Sequence, residues 1–204
     1  MSHIAIIGAT GRVGSHLLEE ALRRGHTVTA IARDSSKLIG RAGINAISVD
    51  IEDSADLRDA VRGADAVFSA ARFTGIPPSA IIDPVKAAGV PRLLVVGGAG
   101  SLYVTPTTKL IETPNFPTEY KAEAEAGGFY LDTLRGETNL DWTFLSPSAL
   151  FIEGPRTGQF RLGANYLLVD LDGKSWITFA DYAIAFLDEF EQPQHSIQRF
   201  TVGY

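Results

Sequence analysis

The sequence predicts an α/β protein built on a doubly wound parallel sheet, with a small C-terminal region on the substrate side. Three observations carry that expectation. Short apolar runs alternate with stretches of helical period from residue 3 to residue 147. The connections between them are short, which favours right-handed crossovers and a sheet covered on both faces. Three glycines, Gly8, Gly11 and Gly14, stand at the junction between the first apolar run and the first helix.

The elements follow in order. Residues 3–8, HIAIIG, read as a buried strand, and residues 13–25 as an amphipathic helix that ends at Gly25. Val13, Leu17, Leu18, Ala21 and Leu22 mark the inner face of that helix. Residues 26–33 form a second strand, 34–43 a short helix and turn, and 44–50 a third strand. A helix over 53–63 can be capped by Asp53 or Ser54. Strands at 65–71 and 91–98 flank a helix at 78–89.

The pattern then loosens. Residues 98–117 contain three prolines and little periodicity, too long a stretch for an idle connection, and such loops often cover sites. Residues 118–137 read mostly as a helix, with Gly127-Gly128 an awkward pair inside it, and 140–147 as a sixth strand. Short β-like pieces at 165–177, a helix from Phe179 to Phe190 and a last strand near 197–202 complete the chain. The expectation is one domain over 1–204, its substrate-side elements mainly at 98–118 and 148–180.

Composition bounds the function. With 45% apolar and 21% charged residues the chain is ordinarily globular, and a net charge of −6 argues against nucleic-acid or anionic-membrane binding. There are no cysteines, which removes disulfides, thiol nucleophiles and thiolate metal sites and is compatible with the cytoplasm. No apolar run approaches a membrane span, and the N-terminus lacks the pattern of a signal peptide. The four histidines, His3, His16, His26 and His195, are scattered and read as structural or solvated, so no metal site is expected.

A strand, then Gly-x-x-Gly-x-x-Gly, then a helix is the setting in which glycine spacing has a mechanism: it is the dinucleotide-binding turn of a Rossmann-type sheet. Gly8 allows the tight turn, Gly11 leaves room for a pyrophosphate, and Gly14 lets the helix pack closely on the strand. Thr10, Arg12 and Val13 belong to the same loop, at a helix N-terminus that favours anions. Arg33 closes the second strand, where a cation can stack on adenine and fork onto a ribose 2′-phosphate, with Arg12 near enough to help. NADP(H) is therefore expected over NAD(H). Asp34 is the competing residue, either a carboxylate for the ribose or a cap for the short helix. Asp50 and Ile51 are placed to touch the adenine, Asp50 being equally suited to cap its loop.

In an open parallel sheet the reactive end of the cofactor lies over the carboxyl ends of the strands beyond the switch point. Ala70, Ala71, Arg72, Gly97, Ser101, Tyr103 and Ser148 are the residues there, and Ser101, Tyr103 and Ser148 are the candidates for chemistry. Phe73, Tyr103, Phe116 and Phe151 are candidate walls for a flat acceptor, aromatics in such loops serving equally as packing. The Tyr-x-x-x-Lys pair of short-chain dehydrogenases is absent: Tyr103, Tyr120 and Tyr130 are followed four residues later by Thr107, Ala124 and Leu134. Hydride delivery to a flavin needs no such donor, because water can supply the proton.

The stretches IAIIGATGRVG, IARDSSKL, LLVVGGAGSLYV, LDWTFLSPSALF and RTGQFRLG together resemble the atypical short-chain dehydrogenases named as NADH-flavin reductases, and more distantly biliverdin-IXβ reductase and the NmrA-like sensors. The resemblance runs nearly end to end. It implies a nicotinamide cofactor held by Gly8, Gly11, Gly14 and Arg33, and reduction of a flavin or quinone-like small molecule. The alternative it carries is a non-catalytic NADP(H) sensor. Bilin reductases of this kind use a Ser after the fifth strand and a His after the sixth. Here Gly100-Ser101 meets the first requirement, while Ser148-Ala149-Leu150 offers no His, so bilin reduction is not expected.

Overall fold

The computed structural model describes residues 1–204. Seven parallel strands form the sheet: β1 (His3–Ile7), β2 (Thr27–Ala32), β3 (Ile44–Ser48), β4 (Ala66–Ser69), β5 (Arg92–Val96), β6 (Asp141–Pro147) and, late in the chain, β10 (Gln198–Gly203). Two further short strands, β7 (Leu150–Ile152) and β9 (Trp176–Thr178), pair with each other, while β8 (Arg161–Gly163) runs antiparallel to β10. The order across the main sheet is β3-β2-β1-β4-β5-β6-β10-β8. Strand order reverses between β1 and β4, the switch point at which such sheets open a crevice.

Five helices cover the two faces: α1 (Arg12–Arg23), α2 (Ser54–Val61), α3 (Ser79–Ala87), α4 (Lys121–Arg135) and α5 (Phe179–Glu191). Alternation along β1 explains how one strand serves both sides. Ile4 and Ile6 pack with Leu17 of α1 and Phe186 of α5, whereas Ala5 and Ile7 pack with Leu57 of α2, Ile81 of α3 and Leu131 of α4. All four are essentially without solvent exposure. A strand buried on both faces has no polar register, which is why its sequence is continuously apolar.

Local chemistry sets the helix ends. Asp53, not Ser54, caps α2: its carboxylate accepts from the amides of Ala55 at 3.2 Å and Asp56 at 3.1 Å. Gly25, in the left-handed region at φ 81°, ends α1. The glycine pair inside α4 divides in two. A Cβ on Gly127 would come within 3.0 Å of the Phe73 ring, so the missing side chain makes room for Phe73; around Gly128 nothing lies within 4 Å, and no packing requires it.

The loose stretch after β5 is folded back on the molecule. Leu102 is fully buried, Tyr103 bridges to both Lys109 and Tyr166, and a short 3-10 turn spans Leu110–Glu112. The expected β-like pieces at 165–177 are corrected. The strands lie at 150–152, 161–163 and 176–178, and residues 165–175 form no strand, although Tyr166 bridges to Tyr103 and Leu168 lies against Gly163 and Gly203.

Candidate functional site

The carboxyl ends of β1, β2, β3 and β4 enclose a cleft of about 470 Å³. Gly8, at φ 80°, turns the chain out of β1, and its N–H donates to the Ile31 carbonyl of β2 at 2.8 Å. Any side chain there would be strained and would place its Cβ 2.8 Å from the Ala70 carbonyl oxygen. Gly8, Thr10 and Gly11 form one wall of the cleft, Arg33, Asp50 and Ile51 a second, and Ala70, Ala71 and Arg72 a third. These nine expected residues do come together.

Gly11 is the N-cap of α1 and carries no side chain to satisfy the first turn. The N–H groups of Arg12, Val13 and Gly14 have no acceptor within the protein, and the turn contains no acidic residue. Three free donors and the positive end of a twelve-residue helix thus face the junction of the walls. That arrangement fits a pyrophosphate.

Arg33 is exposed at the end of β2 and enters no ion pair. Asp34 is held elsewhere: its carboxylate accepts from the Ser36 amide at 3.0 Å, hydrogen bonds from Ser36 keep its carboxyl below the usual range, and it does not line the cleft. Asp34 thus closes a local turn onto Ser36, one residue before the N-cap Ser35 of the 3-10 turn at 36–38. Asp50 lines the cleft and accepts from the Glu52 amide at 3.1 Å, the loop-capping bond expected of it.

Four expected cofactor residues place no side chain on this cleft, although the amides of Arg12, Val13 and Gly14 face it. Gly14 is a packing residue, since a Cβ on it would fall 2.0 Å from the Gly8 carbonyl oxygen. Gly97 donates to Leu145 at 2.8 Å and lies so close to Phe144 that a Cβ would meet that ring at 2.3 Å. The Val13 side chain packs on the core beneath α1. Arg12 does not assist Arg33; its guanidinium lies 5.9 Å from the centroid of the Phe179 ring, in a second cleft.

That second cleft, about 570 Å³, shares Thr10 and Gly11 with the first and lies on the other side of the glycine turn. Arg12, Ser15 and His16 of α1 face Phe151, Ile152, Glu153 and Phe179. Phe151 and Phe179 meet edge to face at 4.6 Å. The His16 ring nitrogen Nε2 stands 3.2 Å from each oxygen of Glu153. His16 was not legible as a site residue, because only the fold brings the segment after β7 beside the first helix.

The candidates for chemistry lie outside both clefts. Ser148 is buried, and its hydroxyl donates to the Val202 carbonyl at 3.0 Å. Ser101 accepts from Arg199 at 3.4 Å, and Tyr103 is held between Lys109 and Tyr166. Phe73 stacks on Phe144 in the core and Phe116 lies in neither cleft, leaving Phe151 as the one anticipated aromatic wall.

One organising residue was missed. Glu123 of α4 accepts from the amides of Phe73 at 2.7 Å and Thr74 at 2.9 Å and from the Thr74 hydroxyl, pinning the loop that carries Arg72. Burial raises its carboxyl pKa, yet these bonds outweigh burial and hold it below the usual range. Arg199, 7% exposed and without a carboxylate partner, is pushed down to about 10 by burial.

Comparison with known proteins agrees with this geometry. The uncharacterized protein YwnB of Bacillus subtilis is 42% identical over 98% of this chain and 97% of its own. A Streptococcus pneumoniae protein named as a candidate NADH-flavin reductase has a solved structure with 39% identity, TM-score 0.86 and coverage of 100% of this chain and 99% of its own. The fold also recurs, at 19% identity and TM-score 0.80, in a Veillonella parvula short-chain dehydrogenase/reductase solved with NADP, covering 100% of this chain and 94% of that one. No helix is long and apolar enough to cross a membrane. Residues 8–189 match the NAD(P)H-binding family, from the glycine turn into the last turn of α5, and the chain belongs to that family.

Proposed function

We propose that the protein is a cytoplasmic NADPH-dependent reductase of flat acceptors, flavins or quinone-like molecules. The observation that carries this reading is the pair of clefts meeting at Thr10 and Gly11. One has the groups that suit an adenosine half, with Arg33 positioned for a 2′-phosphate; the other has two aromatic rings beside the same turn. Bound there, the cofactor would supply hydride.

The chain's own residues would do the rest. Arg33 offers a planar fork with no internal carboxylate to compete for it. The free amides of α1 would take the phosphates, and the half-buried Phe151 with the exposed Ile152 would give a ring a surface to lie on, Phe179 being buried beneath them. The lack of cysteine suits a reducing compartment.

The test is a fluorescence titration of cofactor-free protein with NADPH and NADH, followed by excess FMN in the same cuvette. Tight NADPH binding with sustained oxidation is expected. Binding without turnover of any flavin or quinone would turn the assignment to a redox sensor, and binding of neither nucleotide would reduce the glycines to a turn.

A further inference from the structure

The second cleft holds a charge that neither the fold nor the adenosine side uses. Arg12 is exposed into it, over the face of Phe179, and has no carboxylate partner. The one acid in the cleft, Glu153, is already engaged on both oxygens by the His16 ring. Beside Arg12 the surface is aromatic and aliphatic, made by the half-buried Phe151 and the exposed Ile152 over a buried Phe179. A planar ligand stacked there displaces water from around the guanidinium, so an anionic substituent within reach gains more than it would in open solvent. A neutral ring would leave Arg12 with nothing but Phe179 and water.

We infer that the second cleft selects flat acceptors bearing an anionic substituent, a phosphate, sulfonate or carboxylate, and that Arg12 makes the selection. The inference rests on the reading of this cleft as the acceptor side. It reassigns Arg12 from the cofactor's 2′-phosphate, which is left to Arg33 in the first cleft, to the substrate.

The experiment uses cofactor-free protein and two matched pairs of ligands: FMN against riboflavin, and a naphthoquinone sulfonate against the parent naphthoquinone. Quinone adducts of thiols cannot confuse the result, because the chain has no cysteine. Flavin binding is read by quenching of flavin fluorescence and quinone binding by calorimetry, in wild type, Arg12→Met and Arg12→Lys. Arg12 is exposed, so both variants are expected to fold, and a thermal melt checks this. Wild type should prefer the anionic member of each pair by about five- to tenfold, the scale of a partly desolvated ion pair. Arg12→Met should abolish the preference while leaving the neutral members unchanged, and Arg12→Lys should keep part of it. Equal binding within the pairs, or equal weakening of both members in Arg12→Met, overturns the assignment, as does failure of all four ligands to bind. If the anionic preference holds but none of the four supports NADPH oxidation, the binding assignment stands and the reductase reading falls.

Discussion

Gly14 stands so close to Gly8 that a single methyl group on it would be driven to 2.0 Å from the Gly8 carbonyl oxygen. The obstacle is backbone on both sides, and neither the turn nor the helix can give way. Gly14→Ala should therefore lower stability by about 2–4 kcal/mol, read as a shifted denaturant midpoint. An unshifted midpoint would mean that α1 can slide away from β1.

Gly11 is a different case in the same motif. It is exposed, its φ is −74°, and a Cβ there would meet only the Gly8 oxygen, at 3.2 Å. Gly11→Val should keep the fold and lose NADPH, because its methyls occupy the approach to the free amides of α1. Circular dichroism and a binding titration separate the two effects. Native NADPH affinity in this variant would remove the pyrophosphate from the glycine turn.

Charge reversal at Arg33 tests cofactor choice. Arg33→Glu should weaken NADPH by at least tenfold, about 1.4 kcal/mol or more, and NADH by much less. Equal losses would place the 2′-phosphate somewhere other than the end of β2.

Glu123 controls the loop after β4 through the Phe73 and Thr74 amides. Glu123→Ala leaves those donors unpaired and frees the segment that bears Arg72. A loss of about three- to tenfold in NADPH affinity is expected, matching one or two weakened hydrogen bonds. Amide exchange at Phe73 and Thr74 should rise in the same variant, and unchanged exchange would show that the loop is held by other contacts.

Asp181 gives the pH dependence of stability. It is fully buried in α5, where burial raises its pKa, but bonds from Thr157, Tyr204 and Gly158 prevail and hold it below the usual carboxylate range. A depressed folded pKa stabilises above the unfolded value of about 3.9, and that contribution is lost as pH falls through the lower folded value. Asp181→Asn should cost about 1–3 kcal/mol near neutrality and flatten the acid limb of the stability profile. A parallel downward shift at all pH values would assign the loss to shape, not charge.

Much of the fold was legible because its signals are local. The continuous apolar run of β1, the glycines that follow it and the return of helical period at Leu17 and Leu18 all lie within one short segment. The first cleft was legible for the same reason: Arg33, Asp50 and Ala70 each follow a strand of a sheet whose parallel, doubly wound character was anticipated. The second cleft was not. It depends on His16 meeting Glu153 and on Arg12 turning to Phe179, contacts that span most of the chain and leave no periodic trace. Ser148 illustrates the opposite error. It ends β6 at the expected place, yet β10 lies close enough to take its hydroxyl.

The main sheet ends in β8, three residues long and reversed against β10. Gly163 and Gly203 leave a slot between the two strands, and Leu168 fills it, carrying the chain back over the border. Arg161 then gives its guanidinium to the carbonyls of Val169 and Tyr204. An open row of amides and carbonyls is a template on which another chain can add a strand. At this border the template is short, reversed and overlaid by its own return. The sheet is thereby protected against edge-to-edge growth where its last long strand would otherwise meet solvent.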